Sequence, residues 1–108
     1  MVTIESCWSI IGNGFRGTLL LGVDERGLVR GTMFGDPVHG FWHAAAQRLT
    51  LYRMCVASMV DSIQIYTGYR FEGGMAGTFE AFATSGATPE RSVFGWYATP
   101  VDPASVLG

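Results

Sequence analysis

Residues 17–35 read Gly-Thr-Leu-Leu-Leu-Gly-Val-Asp-Glu-Arg-Gly-Leu-Val-Arg-Gly-Thr-Met-Phe-Gly. Two runs suited to a pleated sheet, 17–24 and 28–35, flank Asp24-Glu25-Arg26-Gly27. An aspartate that can bond the backbone just ahead of it, followed by a glycine free to take a positive φ, marks a hairpin turn. The same punctuation recurs at Asn13-Gly14, Asp36-Pro37, Gly73-Gly74 and Ser85-Gly86. Further strands are accordingly predicted at about 5–12, 38–44, 48–56, 62–71, 75–84 and 93–99, which with the first two make eight.

Residues 48–53 alternate polar and apolar, as a half-exposed strand does, and residues 62–71 are the most strand-prone stretch of the chain. Ala44-Ala45-Ala46 allows one helical turn at most. A polar loop is expected over 86–91 and a loose tail over 101–108, leaving residues 1–100 as one domain. Eight consecutive strands with short turns favour an all-β, eight-stranded antiparallel up-and-down barrel, because closure removes both sheet edges. Gly31, Gly68, Gly77 and Gly95, inside strands, would permit the tight coiling of a small barrel.

Apolar residues make up 48% of the chain and charged residues 15%, so a cavity or a subunit interface must absorb the excess apolar surface. A homo-oligomer, dimer or tetramer, is expected on this ground. Seven scattered cations and a net charge of −2 exclude nucleic acid, which needs a clustered basic surface. No stretch has the length of a membrane-spanning helix, residues 1–15 lack signal-peptide character, and the strands are short for an outer-membrane barrel; a cytoplasmic protein with no membrane partner is expected. Cys7 and Cys55 match no zinc or redox spacing and read as reduced, buried thiols.

Chemistry-bearing residues are few. There is no nucleophile elbow, phosphate loop or dinucleotide fingerprint, and Tyr66, Glu80 and Arg53 alone keep a catalytic reading in view. His39 and His43 could share a face, but a metal site would need the fold to supply Asp36 or Glu80 as a third ligand, so neither metal nor cofactor is predicted. Trp8 and Trp96, on the first and last strands, should pack across the closing seam, while Trp42 suits a mouth, an interface or the core. Arg53 and Gln64 fall near facing ends of adjacent strands and with Tyr66 could hold a polar ligand head, or close the barrel structurally.

Four stretches carry a family resemblance: Asn13 followed by the strand of Thr18; residues 24–32, from Asp24 to Thr32; Tyr66-Thr67-Gly68; and Thr84-Ser85-Gly86-Ala87-Thr88. Together they resemble the avidin and streptavidin family of calycin-type barrels. The resemblance implies a barrel with a polar ring binding the ureido oxygen of biotin and tryptophans walling the pocket. Of the three oxygen contacts it implies, Asn13 is kept, while the second falls on Gly17 and the third on Met33. A wall tryptophan falls on Tyr66, with Ser62 and Gln64 beside it; a second falls at or near Tyr52, and a third on Ala81. Biotin is therefore not the expected ligand, since a buried acceptor would lose its donors.

The resemblance places Ser62, Gln64, Tyr66 and Gly68 inside, whereas hydrophobicity alone places Ile63 and Ile65 inside; the first register makes Ile63, Ile65, Tyr69 and Phe71 an apolar outer stripe. The expected function is a non-enzymatic barrel binding a small, partly apolar molecule through Asn13, Met33, Tyr52, Arg53, Ser62, Gln64, Tyr66 and Phe79. The competing expectation is an interaction module filled by Trp8, Met33, Phe79 and Trp96, which homo-oligomerises or docks on a larger assembly.

Overall fold

A computed structural model describes residues 4–55, 62–83 and 91–102, excepting the side chains of Ser62, Ala83, Arg91 and Ser92. Eight strands run β1 (Cys7–Gly12), β2 (Phe15–Val23), β3 (Leu28–Met33), β4 (Asp36–His43), β5 (Arg48–Met54), β6 (Ser62–Phe71), β7 (Gly74–Ala83) and β8 (Arg91–Pro100). Each pairs antiparallel with its sequence neighbours, and β1 pairs with β8, so the sheet closes into an up-and-down barrel. A single 3-10 turn, Ala44–Ala46, links β4 to β5. None of the described helices is long and apolar enough to cross a membrane.

Turn chemistry explains the connections. Asn13 (φ 49°) and Gly14 (φ 81°) close β1 onto β2, and Phe34 (φ 52°) and Gly35 (φ 82°) close β3 onto β4. Paired positive φ values match the twist of two-residue hairpins. The expected break at Asp36-Pro37 is thus displaced: these residues open β4, and the turn precedes them. Proline is tolerated there because the start of a strand can dispense with an N–H. In the Asp24 turn, Oδ1 accepts from the backbone N–H of Arg26 and of Leu28, each at 2.9 Å. The Ser85-Gly86 turn, the 86–91 loop but for Arg91, and residues 103–108 of the tail lie outside the described residues.

Strand alternation fills the interior. Trp8, Ile10, Leu19, Leu21, Val29, Met33, Val38, Trp42, Leu49, Leu51, Tyr66, Met75, Phe79, Trp96 and Ala98 form one buried cluster. Inward glycines let neighbouring strands coil closely and, at one position, make room for a ring. A Cβ on Gly31 would stand 1.8 Å from the Leu20 carbonyl oxygen, on Gly40 1.9 Å from that of Thr50, and on Gly77 1.9 Å from that of Thr67. At Gly68 it would strike the Trp96 ring at 2.3 Å. Gly95 is different: it is exposed, and its nearest neighbour is 3.9 Å away, so coiling does not require it.

The two barrel ends differ. At the end carrying the Asp24 turn, Arg70 Nε donates to Glu5 Oε1 at 3.0 Å, Arg70 Nη1 donates to Gln47 Oε1 at 3.3 Å, and Trp8 Nε1 donates to the Glu5 carbonyl at 2.8 Å. These bonds lay a polar lid over the core. Cys7 begins β1 at this end and Cys55 follows β5 at the other, both as buried free thiols on strands that are not neighbours.

Crowding that forbids a Cβ should dominate stability. Gly31→Ala is expected to cost about 2 kcal/mol or more, because overpacking against rigid backbone finds no relief. Gly95→Ala should stay within about 0.5 kcal/mol of the parent. Urea unfolding of the two variants side by side checks this ordering.

Candidate ligand-binding site

The site grows from the inward positions of four strands at the end away from the Arg70 lid. Arg53 on β5 stands directly across from Gln64 on β6 and from Val38 on β4, which places Asp36, two residues along β4, as its diagonal neighbour. Arg53 Nε and Nη2 both donate to Asp36 Oδ2, at 3.0 and 2.6 Å. Arg53 Nη1 donates to Gln64 Oε1 at 2.9 Å, and the Tyr66 hydroxyl donates to the same oxygen at 2.7 Å. The Phe34 ring lies against the guanidinium, its centroid 4.9 Å from Cζ, a cation–π contact.

Burial sets the electrostatics. Asp36 is only 6% exposed, so its charge depends on Arg53. Burial works against the Arg53 charge, but the bonds with Asp36 and then Tyr66 outweigh it and hold the guanidinium above its ordinary pKa. Tyr66 is pushed the same way by its own burial, which disfavours the phenolate; the hydrogen bond with Arg53 and then its charge oppose this without reversing it. The cluster is therefore one cation, one anion and a neutral phenol.

Above it opens a cavity of about 460 Å³, bounded by Gly12, Asn13, Phe15, Phe34, Asp36, Arg53, Cys55, Gln64, Tyr66, Phe79 and Phe94. Tyr66 stacks on Phe79 at 4.6 Å between centroids, Phe79 meets Phe94 at 5.2 Å, and Trp96 abuts Tyr66 at 6.1 Å. One wall is thus a continuous aromatic surface with a hydrogen-bonding patch at its foot. Pockets with few convergent polar groups in an apolar lining suit small organic ligands.

Of the residues expected to contact a ligand, Asn13, Arg53, Gln64, Tyr66 and Phe79 converge on this cavity. Met33 is buried in the core and contributes to the filling beneath, outside the cavity lining. Tyr52 does not join them: it is 45% exposed and stacks on His39 outside the barrel, at 5.5 Å. Its neighbour Arg53 takes the inward position, and strand alternation then turns Tyr52 outward. Ser62 lies on β6 in phase with Gln64, but its side chain is outside the described residues. The register of β6 is the polar one, with Tyr66 buried and Ile65 41% exposed, so the placement of Ile63 and Ile65 inside by hydrophobicity is overturned. His39 and His43 lie exposed on the outer face of β4, and Trp42 faces the core.

Gly12, Phe15, Cys55 and the wall residue Phe94 line the cavity without having been anticipated, and so do two members of the Arg53 cluster, Asp36 and Phe34. Asp36 appeared as a turn residue, although it is in phase with the inward series Val38, Gly40 and Trp42. Phe34 holds a positive φ, unusual for a bulky residue and costing of order 1–3 kcal/mol. Its ring occupies the space a side chain at Gly17 would need, 2.2 Å from the Cβ position there, so Gly17 is small because Phe34 covers it.

A second recess of about 620 Å³ lies at the other end, between the Asp24 turn and Trp42. Trp42 Nε1 is the only buried side-chain polar atom without a partner among the described residues. That recess lacks a convergent hydrogen-bonded cluster like that of Arg53. Comparison with known proteins gives no matching family model, curated protein or solved structure.

Removing one member of the buried pair should hurt more than removing both. Arg53→Met is expected to lose about 3–5 kcal/mol by stranding Asp36, and the double variant with Asp36→Asn less than Arg53→Met alone; denaturant titrations of the three proteins decide it. Tyr66 should ionise above the ordinary tyrosine value. Because its folded pKa is raised, the stability it confers is complete below pH 10, its ordinary value, and falls as pH rises beyond it. Ultraviolet phenolate titration should show alkaline unfolding shallower in Tyr66→Phe.

Proposed function

We propose that this barrel binds a small, partly apolar molecule in the cavity between Arg53 and the Phe79–Phe94 wall, without catalysing a reaction on it. The carrying observation is the convergence of Asp36, Arg53, Gln64 and Tyr66 beside an aromatic surface inside an otherwise packed barrel. A side-chain cluster serving closure alone would need no open volume above it. The buried Trp8, Met33, Phe79 and Trp96 support a filled lower barrel beneath the cavity, so part of the interaction-module reading is compatible with ligand binding. An avidin-like arrangement agrees with the strand order and the polar register of β6. Two free thiols far apart favour a reducing, cytoplasmic setting.

A second reading concerns assembly. On the outer face, Tyr52 pairs across from Ile65, and Tyr69 and Tyr97 both stand opposite Ala76. Tyr52, Ile65, Tyr69, Val93 and Tyr97 are each more than 40% exposed, which supports burial of the β5–β8 face against a second copy.

N-phenyl-1-naphthylamine, an uncharged fluorescent probe, should bind the purified protein with a rise in emission and in Tm. Gln64→Leu and Phe34→Ala should each weaken it about tenfold or more, having removed a polar anchor or a wall. Unchanged binding in both variants would refute the site. Light scattering should report an oligomer that Ile65→Asp dissociates; a monomeric parent would remove the assembly reading.

A further inference from the structure

We infer that Asp36 sets the charge specificity of this cavity: by occupying Arg53 it directs the site to an uncharged aromatic molecule, and its removal converts the cavity into a carboxylate site. The inference rests on the proposed ligand-binding reading and deepens it.

An arginine at the foot of an aromatic pocket ordinarily signals an acidic ligand, because the Nε–Nη2 edge of a guanidinium matches a carboxylate. Here that edge is taken, since both Nε and Nη2 donate to Asp36 Oδ2. Nη1 is turned to Gln64, and the face of the guanidinium is covered by Phe34. Asp36 and Arg53 are the only charged side chains of the cavity lining among the described residues, and their charges cancel. A carboxylate entering this site would lose its water while meeting Asp36 behind the cation that should receive it. An ammonium would meet Arg53. Either ion is desolvated without a net counter-charge, the costliest way to bury one.

An uncharged group avoids both penalties and still finds polar partners. The Tyr66 proton is committed to Gln64 and its oxygen already meets Arg53, so toward a ligand the phenol can act only as an acceptor, through its remaining lone pair. Of the five N–H groups of a guanidinium, the bonds to Asp36 and Gln64 use three and the one with Tyr66 a fourth, which leaves one donor for a ligand. An aromatic ring bearing an amide, or a heteroaromatic with adjacent donor and acceptor, fits this combination. The Tyr66, Phe79 and Phe94 rings then cover its face.

The geometry also says what Asp36 withholds. It opens β4, only 6% exposed, and reaches Arg53 from the neighbouring strand without otherwise joining the aromatic wall. Replacing it by asparagine keeps the shape and leaves one uncompensated cation at the foot of the pocket. A ligand carboxylate can then supply the missing anion.

The test uses three probes sharing one ring system: naphthalene-2-carboxamide, naphthalene-2-carboxylate and 2-naphthylmethylammonium, titrated calorimetrically into the parent, Asp36→Asn, and the double variant Asp36→Asn with Arg53→Gln. The parent should bind the amide at least about tenfold more tightly than either ion, the discrimination expected when a buried charge goes unpaired. Asp36→Asn should gain about tenfold or more for the carboxylate and lose ground for the ammonium. The double variant, uncharged throughout, should return to preferring the amide and keeps the inference testable should the single variant unfold. A parent that prefers the carboxylate, or an Asp36→Asn protein that folds without gaining it, would overturn the role of Asp36 and leave the cavity standing. Equal binding of all three probes to the parent would do the same. Failure of every probe on every protein would overturn the ligand-binding reading and this inference with it.

Discussion

Closure of β1 onto β8 is the constraint from which the rest follows. In an open sheet a strand can slide by one residue and turn its faces over. In a closed barrel such a slip must pass around all eight strands and reopen the seam, so the inward series of each strand is tied to that of every other. Trp8, Leu19, Met33, Leu51, Tyr66, Phe79 and Trp96 are buried together because one alternation runs around the whole circuit.

That circuit is narrow, and volume becomes the next limit. Three tryptophans share one small barrel whose strands approach so closely at Gly31, Gly40 and Gly77 that a Cβ would strike neighbouring backbone, and Gly68 makes room for one of the rings. Gly68 and Trp96 are two halves of one solution, the ring lying where a side chain on β6 would have been. The packed floor this creates ends at Tyr66 and Phe79. Above them the inward residues turn polar, and the available volume remains open as the cavity.

The polar cluster ties stability to recognition. Arg53 and Asp36 are costly to bury singly and tolerable together, so the pair holds β4 and β5 in one register while determining which charges the cavity admits. Phe34 links the same two demands: its strained backbone carries a ring that fills the space over Gly17 and covers Arg53. At the opposite end Arg70 pairs with Glu5 and Gln47 instead, so the polar bonds there tie β1, β5 and β6 together beside a recess, while at the Arg53 end they line the cavity floor.

The sequence by itself determined the strand count, the antiparallel order and most turns, since those depend on residues close in the chain: Asn13-Gly14 and Asp24 through Gly27 carry their own geometry. It also brought forward Arg53, Gln64 and Tyr66, whose polarity within strand patterns is conspicuous. Only the tertiary structure decided the face of β6, because Ile65 and Tyr66 are both apolar enough to be buried and the choice rests on Arg53 reaching across from β5. It likewise turned Tyr52 outward and drew Asp36 inward. An aspartate beside a proline has the local chemistry of a turn, and the cation that makes its burial tolerable lies 17 residues away.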